Sequence, residues 1–254
     1  MANSYKILAT DYDYLNPKEE IFKQKKFFQR LIQKYHIKSC LDCACGTGWH
    51  LFMLSQLGLQ CSGSDISKEM LSVAKENLNK NVPIKREDFR SLRKSWKEHF
   101  DMVVCLTTSL PHMTTDQDTI RALRSMYERL KPGGILVVDN GITDRILDTR
   151  PAFIPARIYP HRAFYFFLEY VSPKEVIFNV LQIKKTKKGF AHTYEAMHYN
   201  AMRESTLQKY FKRTKFSKVA YYGDHHFSKY SRKTSSRLIA IAQKINIPDR
   251  DGSV

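Results

Sequence analysis

Residues 41–48 read Leu-Asp-Cys-Ala-Cys-Gly-Thr-Gly, and seventeen residues beyond that last glycine stands Asp65. Residues 39–45 are short, apolar and end in small side chains, as a buried parallel strand does, and residues 49–57 then carry apolar side chains at helical spacing. The implied unit is strand, tight turn, helix. Gly46 and Gly48 lack a Cβ, so the turn can take positive φ and a ligand can lie against the backbone at the helix N-terminus. A second strand over residues 59–64 ends at Asp65, whose carboxylate can accept both hydroxyls of a ribose.

Dinucleotides, mononucleotides and S-adenosylmethionine all use such a unit. A dinucleotide fingerprint wants a third glycine so that a pyrophosphate can rest on the helix end, but that position, counted from Gly46, is Leu51. No Gly-Lys-Ser/Thr triplet follows, which removes the P-loop. Asp42, an acid at the strand end, is wrong for a phosphate and suits a ligand with an ammonium group. S-adenosyl-L-methionine is that ligand.

The chain resembles the class I S-adenosylmethionine-dependent methyltransferases, and within them a subgroup similar to glycine N-methyltransferase. Beyond residues 41–48, the resemblance is carried by residues 65–74, Asp88-Phe89, residues 100–112, Leu130-Lys131-Pro132-Gly133-Gly134 with the strand after it, residues 150–157, Tyr222-Gly223-Asp224 and residues 236–242. It covers nearly the whole chain. The implied fold is α/β, a Rossmann-like, seven-stranded, mostly parallel sheet with an antiparallel β insert. Ala44, Gly46 and Gly48 would cradle the methionine part of the cofactor, with Asp42 near its ammonium group. Asp65, followed by Ile66, would hold the ribose. Asp88 and Phe89 would meet the adenine, Leu106 would lie beside the sulfonium, and Lys23 near the cofactor carboxylate. Tyr12 and Tyr14 would fold over the cofactor. His112 is the titratable side chain best placed to accept a proton.

Two departures bear on the methyl acceptor. Relatives read Gly-Asn-Ser-Leu-Pro-His after the fourth strand, where this chain reads Thr107-Thr108-Ser109-Leu110-Pro111-His112. Glycine methyltransferases carry His-Arg-Asn-Tyr-Asp after the fifth, and here the stretch is Asn140-Gly141-Ile142-Thr143-Asp144, which speaks against glycine itself.

The periodicity predicts an N-terminal helix over residues 18–35, a helix over 67–80 with Ser67 as N-cap, a short strand near 83–86, a strand over 100–106 and a helix over 116–130. Gly133-Gly134 is read as the break before a strand at 135–139. Alternation of strand and helix implies a parallel sheet with right-handed crossovers. Residues 164–171, 175–185 and 190–200 are β-rich runs joined by turn compositions. A helix at 204–214, strands at 219–223 and 237–242, and a frayed tail at 246–254 complete the pattern. Residues 1–149 and 203–246 are thus expected to form the Rossmann-like domain, and 150–202 an insert roofing the substrate pocket or joining copies in a homo-oligomer. On the last insert strand, His192, Tyr194, His198 and Asn200 share one face, either toward the acceptor or toward solvent.

With 254 residues, 43% of them hydrophobic, the chain can bury a core of one elaborated domain. No apolar run reaches membrane-spanning length and residues 1–13 lack a signal-peptide layout, so a cytoplasmic protein with no membrane partner is expected. Five cysteines read as reduced, buried thiols; Cys40, Cys43 and Cys45 lack a second ligand knuckle for zinc. The net charge is +17, and residues 184–237 hold fourteen Lys and Arg against three acids. Such an excess is either a solvated face or a surface for nucleic acid. The expected activity is therefore methyl transfer from S-adenosylmethionine to a small molecule, at nitrogen. The alternatives are an RNA methyltransferase using the basic C-terminal third and a non-catalytic S-adenosylmethionine-binding protein. Residues 107–111 do not supply the Asn/Asp-Pro-Pro-Tyr/Phe loop of base amino-group methylation.

Overall fold

The centre of the computed structural model, which describes residues 9–78 and 80–245, is a sheet made from the most apolar runs of the chain. Five parallel strands, β1 (Ser39–Asp42), β2 (Gln60–Asp65), β3 (Ile84–Arg86), β4 (Phe100–Cys105) and β5 (Leu130–Asn140), form its body. The central strands are covered on both faces, which is why residues 102–105 of β4 and 135–138 of β5 read as unbroken apolar sequence. The chain then leaves to build a separate antiparallel sheet from β6 (Phe153–Tyr159), β7 (Arg162–Ser172), β8 (Glu175–Thr186) and β9 (Gly189–Asn200). It returns as β10 (Phe216–Tyr222) and β11 (Leu238–Lys244), giving the order β10-β11-β5-β4-β1-β2-β3. β11 runs antiparallel to both its neighbours.

Helices cover the large sheet. The N-terminal segment holds α1 (Tyr12–Leu15), α2 (Lys18–Phe22) and α3 (Lys25–Tyr35), so the single helix expected over 18–35 is two, divided at Lys23-Gln24. With α4 (Trp49–Gln56) and α5 (Lys68–Asn77), α3 packs Phe28, Leu31, Leu54 and Ala74 against one sheet face. On the other face α6 (Asp116–Glu128) and α8 (Glu204–Lys212) bury Leu123, Met126, Leu207 and Phe211. A short α7 (Asp144–Thr149) leads into the insert. Ser67 does cap α5, its Oγ accepting from the Met70 N–H, and Thr115 caps α6 in the same way.

Two expectations are corrected. Gly133-Gly134 is not a break before the strand but a bulge inside it: β4 pairs Phe100 with Leu130 and next Met102 with Ile135. Gly134 is needed there because a Cβ would lie 3.0 Å from the Asp101 carbonyl oxygen. The insert has four strands rather than three, with β6 at its edge. The tail at 246–254 lies outside the described residues. No described helix is long and apolar enough to cross a membrane. All five cysteines are buried free thiols.

Candidate active site

Strand order reverses between β1 and β4, and the loops at the carboxyl ends of these strands therefore diverge and leave a crevice. The turn after β1 fills its floor. Gly46 and Gly48 have φ of 53° and 89°, a region that a Cβ disfavours, and at Gly48 a Cβ would also lie 3.0 Å from Leu78 Cγ. Gly46 N donates to Asp65 Oδ2 at 2.9 Å and Ser67 N to Asp65 Oδ1 at 2.9 Å. Burial pushes the Asp65 carboxyl up, and those backbone donors work against the shift. Asp42 is 1% exposed, its Oδ1 accepting from Ala44 N at 3.1 Å. Burial raises its carboxyl to about 7, the Ala44 N–H opposing and the nearby Asp65 charge adding to the rise.

The N-terminal segment is strapped across this turn by Asp13, a residue that no motif singled out. Its Oδ1 accepts from Thr47 Oγ1 at 2.6 Å, and its Oδ2 accepts from Trp49 Nε1 at 2.8 Å and Asn77 Nδ2 at 3.3 Å. The strap holds Tyr12 over the glycine turn, its ring 3.9 Å from where a Cβ on Gly46 would stand. Tyr14 goes elsewhere: its ring meets Tyr159 edge-on, and the Arg162 guanidinium lies over it, so it docks on the insert.

Tyr12, Ala44, Asp65, Ile66, Asp88, Phe89 and His112 are brought together around one cavity, with Cys43, Met70 and Ser109. Asp42, Gly46, Gly48 and Leu106 do not line it; the glycines shape the turn, and Leu106 is packed in the core. Lys23 is not brought there at all: it pairs with Glu20 and borders a different cavity, beside Asp139, His225 and Arg237. Asp88 lines the first cavity while engaged by Arg90, whose Nη2 is 2.6 Å from Asp88 Oδ2 and whose Nη1 reaches Asp118. Burial opposes ionisation of Asp88, but the Arg90 hydrogen bonds outweigh it and hold the carboxyl below its usual range.

The loop after β4 carries a feature that its sequence conceals. Thr107 and Thr108 have φ of 54° and 65°, the left-handed region that glycine and asparagine adopt readily and β-branched residues do not. Bonds to β5 hold the strain: Thr108 N donates to the Asp139 carbonyl at 2.9 Å, and Gly141 N to Thr108 Oγ1 at 2.9 Å. The loop ends in His112, whose ring meets Tyr199 edge-on at 4.7 Å. Burial pushes the His112 imidazole down to about 4, so it is neutral near pH 7.

A second cavity, of about 560 Å³, lies between these loops and the inner face of the insert and shares Tyr12 with the first. The insert supplies Ile154, Phe166, Phe178, Val180, Met197 and Tyr199 to it. Strand register settles the face of β9: Phe178 pairs with Met197 and Val176 with Tyr199, so odd-numbered residues face the cavity. His192, Tyr194 and His198 project from the opposite face, Tyr194 donating to Asn179 Oδ1 and His198 meeting Glu175. Asn200 is buried and donates to the Met113 carbonyl at 3.1 Å. Of the two arginines flanking residues 151–155, Arg157 lines the cavity and Arg150 stacks over Tyr170 outside it. Arg237, at the start of β11, lines it as well, its Nε 2.7 Å from Asp139 Oδ1.

Comparison with known proteins agrees with this architecture. Residues 40–134 match the family described as a methyltransferase domain. The chain is 36% identical over 126 residues to glycine/sarcosine N-methyltransferase of Aphanothece halophytica, covering 48% of each chain. To glycine/sarcosine/dimethylglycine N-methyltransferase of Actinopolyspora halophila it is 26% identical over 238 residues, 91% of this chain and 40% of that one. The chain spans about half the length of the curated relatives it matches. Among solved structures, an S-adenosylmethionine-dependent methyltransferase from Clostridium acetobutylicum superposes with a TM-score of 0.80 at 19% identity, covering 96% of this chain and all (100%) of the other. The sugar N-methyltransferase KedS8 from Streptoalloteichus gives 0.76 at 18% identity, over 93% and 92%. Residues 40–134 thus match a methyltransferase domain, and nearly the whole chain shares its fold with a solved S-adenosylmethionine-dependent methyltransferase.

Proposed function

We propose that the protein transfers a methyl group from S-adenosylmethionine to a nitrogen of a small molecule. The observation that carries this reading is the meeting of two cavities at Tyr12, one bordered by Asp65, Asp88 and Phe89, the other roofed by the insert. The names of two similar proteins, a glycine/sarcosine N-methyltransferase and a sugar N-methyltransferase, support the choice of nitrogen.

The residues bordering the first cavity suit the cofactor in their chemistry. Each Asp65 oxygen accepts one backbone N–H and keeps a lone pair for a ribose hydroxyl. Met70, Ile66 and Phe89 offer apolar walls to a purine, and Asp42, behind the lining, holds the backbone of Ala44, which borders the cavity. Bound there, S-adenosylmethionine supplies an electrophilic methyl on a sulfonium. The chain's residues have the remaining tasks. The Asp13 strap sets Tyr12 between donor and acceptor, and the buried walls of the insert exclude water, so alignment and desolvation do most of the work. The acceptor nitrogen must attack as a free amine and then lose a proton. We assign that proton to His112, which is neutral near pH 7 and borders the first cavity.

The test incubates the full chain with methyl-labelled S-adenosylmethionine and a cell extract split into metabolite, RNA and protein fractions. Label in amines of the metabolite fraction is expected. Label confined to RNA or protein, or no binding of S-adenosylmethionine in equilibrium dialysis, overturns the reading.

A further inference from the structure

The second cavity is built in two chemical halves. Its apolar lining includes Phe166, Phe178, Val180 and Met197 from the insert, which pack in one cluster with Ile142 and Ile146. The lining also holds two guanidinium groups, Arg157 and Arg237, which border the adjoining cavity beside Asp139 as well. Their electrostatic states differ. Arg237 is committed to the buried Asp139 through its Nε, and one end of its guanidinium extends over Gly141, where a Cβ would lie 2.8 Å from Nη1. Arg157 faces inward from β6, opposite Phe164 in the ladder, and among the described residues it has no carboxylate partner. A half-buried arginine that makes no ion pair among the described residues, beside a pair that is already made, offers a positive charge to the mostly apolar cavity that it lines.

We propose that the acceptor is an amine with a bulky apolar body and one anionic group, a carboxylate, seated against Arg157 with Arg237 beside it. The proposal rests on the methyltransferase reading above and names the acceptor class for that site. A two-carbon amino acid would leave most of about 560 Å³ unfilled and the apolar wall without a partner. A neutral apolar amine would fill the wall and leave Arg157 facing an apolar group. Only a molecule with both parts meets both halves.

The test loads the full chain with S-adenosylhomocysteine and measures binding of acceptor probes by calorimetry, then repeats the series as methyl-transfer assays. The probes are glycine, norleucine, phenylalanine and a biphenyl-bearing amino acid, each beside its carboxamide. Affinity is expected to rise at least tenfold from glycine to the aryl-bearing acids, and each of those acids is expected to bind at least tenfold tighter than its amide. In Arg157→Gln the acid-to-amide ratio is expected to fall to within about threefold, with methyl-transfer KM rising for the acids more than kcat falls. Three results overturn the proposal: glycine binding as well as the aryl acids, acids and amides binding alike in the unaltered chain, or Arg157→Gln leaving the ratio in place. Preference for phosphonate analogues over all carboxylates would likewise overturn the choice of carboxylate. Failure of S-adenosylhomocysteine to bind overturns instead the methyltransferase reading beneath it, so the two failures are distinguishable.

Discussion

The backbone N–H of Gly46 donates to the carboxylate of Asp65 across 2.9 Å, joining the glycine turn after β1 to the acid at the end of β2. The second Asp65 oxygen accepts from Ser67 N, so the carboxylate is a structural staple as well as a candidate ribose acceptor. Asp65→Asn keeps the shape but sets an amide N–H against one of those two donors. The expected cost is about 1–3 kcal/mol of stability and at least a tenfold loss in affinity for S-adenosylhomocysteine. Urea unfolding and calorimetry on the same sample check both; an unchanged dissociation constant would remove Asp65 from the site.

Thr107 and Thr108 make a prediction of the opposite sign. At φ of 54° the Thr107 side chain is strained, and Thr107→Gly is expected to stabilise the fold. The gain is about 0.5–1 kcal/mol, since relief of about 1–2 kcal/mol of left-handed strain is partly offset by the looser unfolded chain. Thr108→Gly also forfeits the hydrogen bond from Gly141 N to Thr108 Oγ1, so it is expected to be near neutral. Chemical denaturation of the two variants side by side is the measurement; stabilisation of Thr108→Gly beyond Thr107→Gly would contradict the account.

Much of this architecture is legible in the sequence because the physics is local. A buried parallel strand must be apolar throughout, a tight turn against a ligand needs Gly46 and Gly48, and Ser67 ahead of an amphipathic run announces a helix. What stayed hidden depends on distant partners. β6 contains Pro155 and a register shift between Ile154 and Arg157, which erase alternation; only its place at a sheet edge makes the proline tolerable. The period of β9 was readable, yet which face turns inward was decided by Met197 and Tyr199 packing under β8. Asp13 has no motif, and its role exists only because Thr47, Trp49 and Asn77 converge on it. Arg237 gains its meaning from Asp139, 98 positions away.

Asp42 carries a pH signature. Its carboxyl lies at about 7 in the folded chain against an ordinary value of 3.8, so folding favours the protonated form. The associated stability is complete below the ordinary value and is lost as pH rises through about 7. Asp42→Asn keeps an oxygen for the Ala44 N–H and removes the titration. The variant is therefore expected to gain on the unaltered, ligand-free chain between pH 4 and 7, by up to a few kcal/mol at the upper end. Parallel stability curves across that range would discount the burial argument.

His112 separates a chemical role from a packing one. Burial holds its imidazole at about 4, so the neutral form favoured by folding is complete above the ordinary value of 6.5 and is penalised as pH falls toward 4. Between pH 6 and 9 its protonation does not change, so an acid limb of the rate in that range belongs to the acceptor amine, which must be free to attack, or to Asp42, whose carboxyl lies at about 7, and not to His112. If His112 takes the proton released on transfer, His112→Gln is expected to lower kcat by about 100-fold while leaving S-adenosylhomocysteine affinity within a few fold. If the ring serves only to pack against Tyr199, His112→Gln lowers stability and kcat barely moves. Single-turnover rates of folded protein, measured from pH 6 to 9, divide the two: a loss in the chemical step at every pH assigns the proton to His112, and an unchanged step returns the ring to the wall of the pocket.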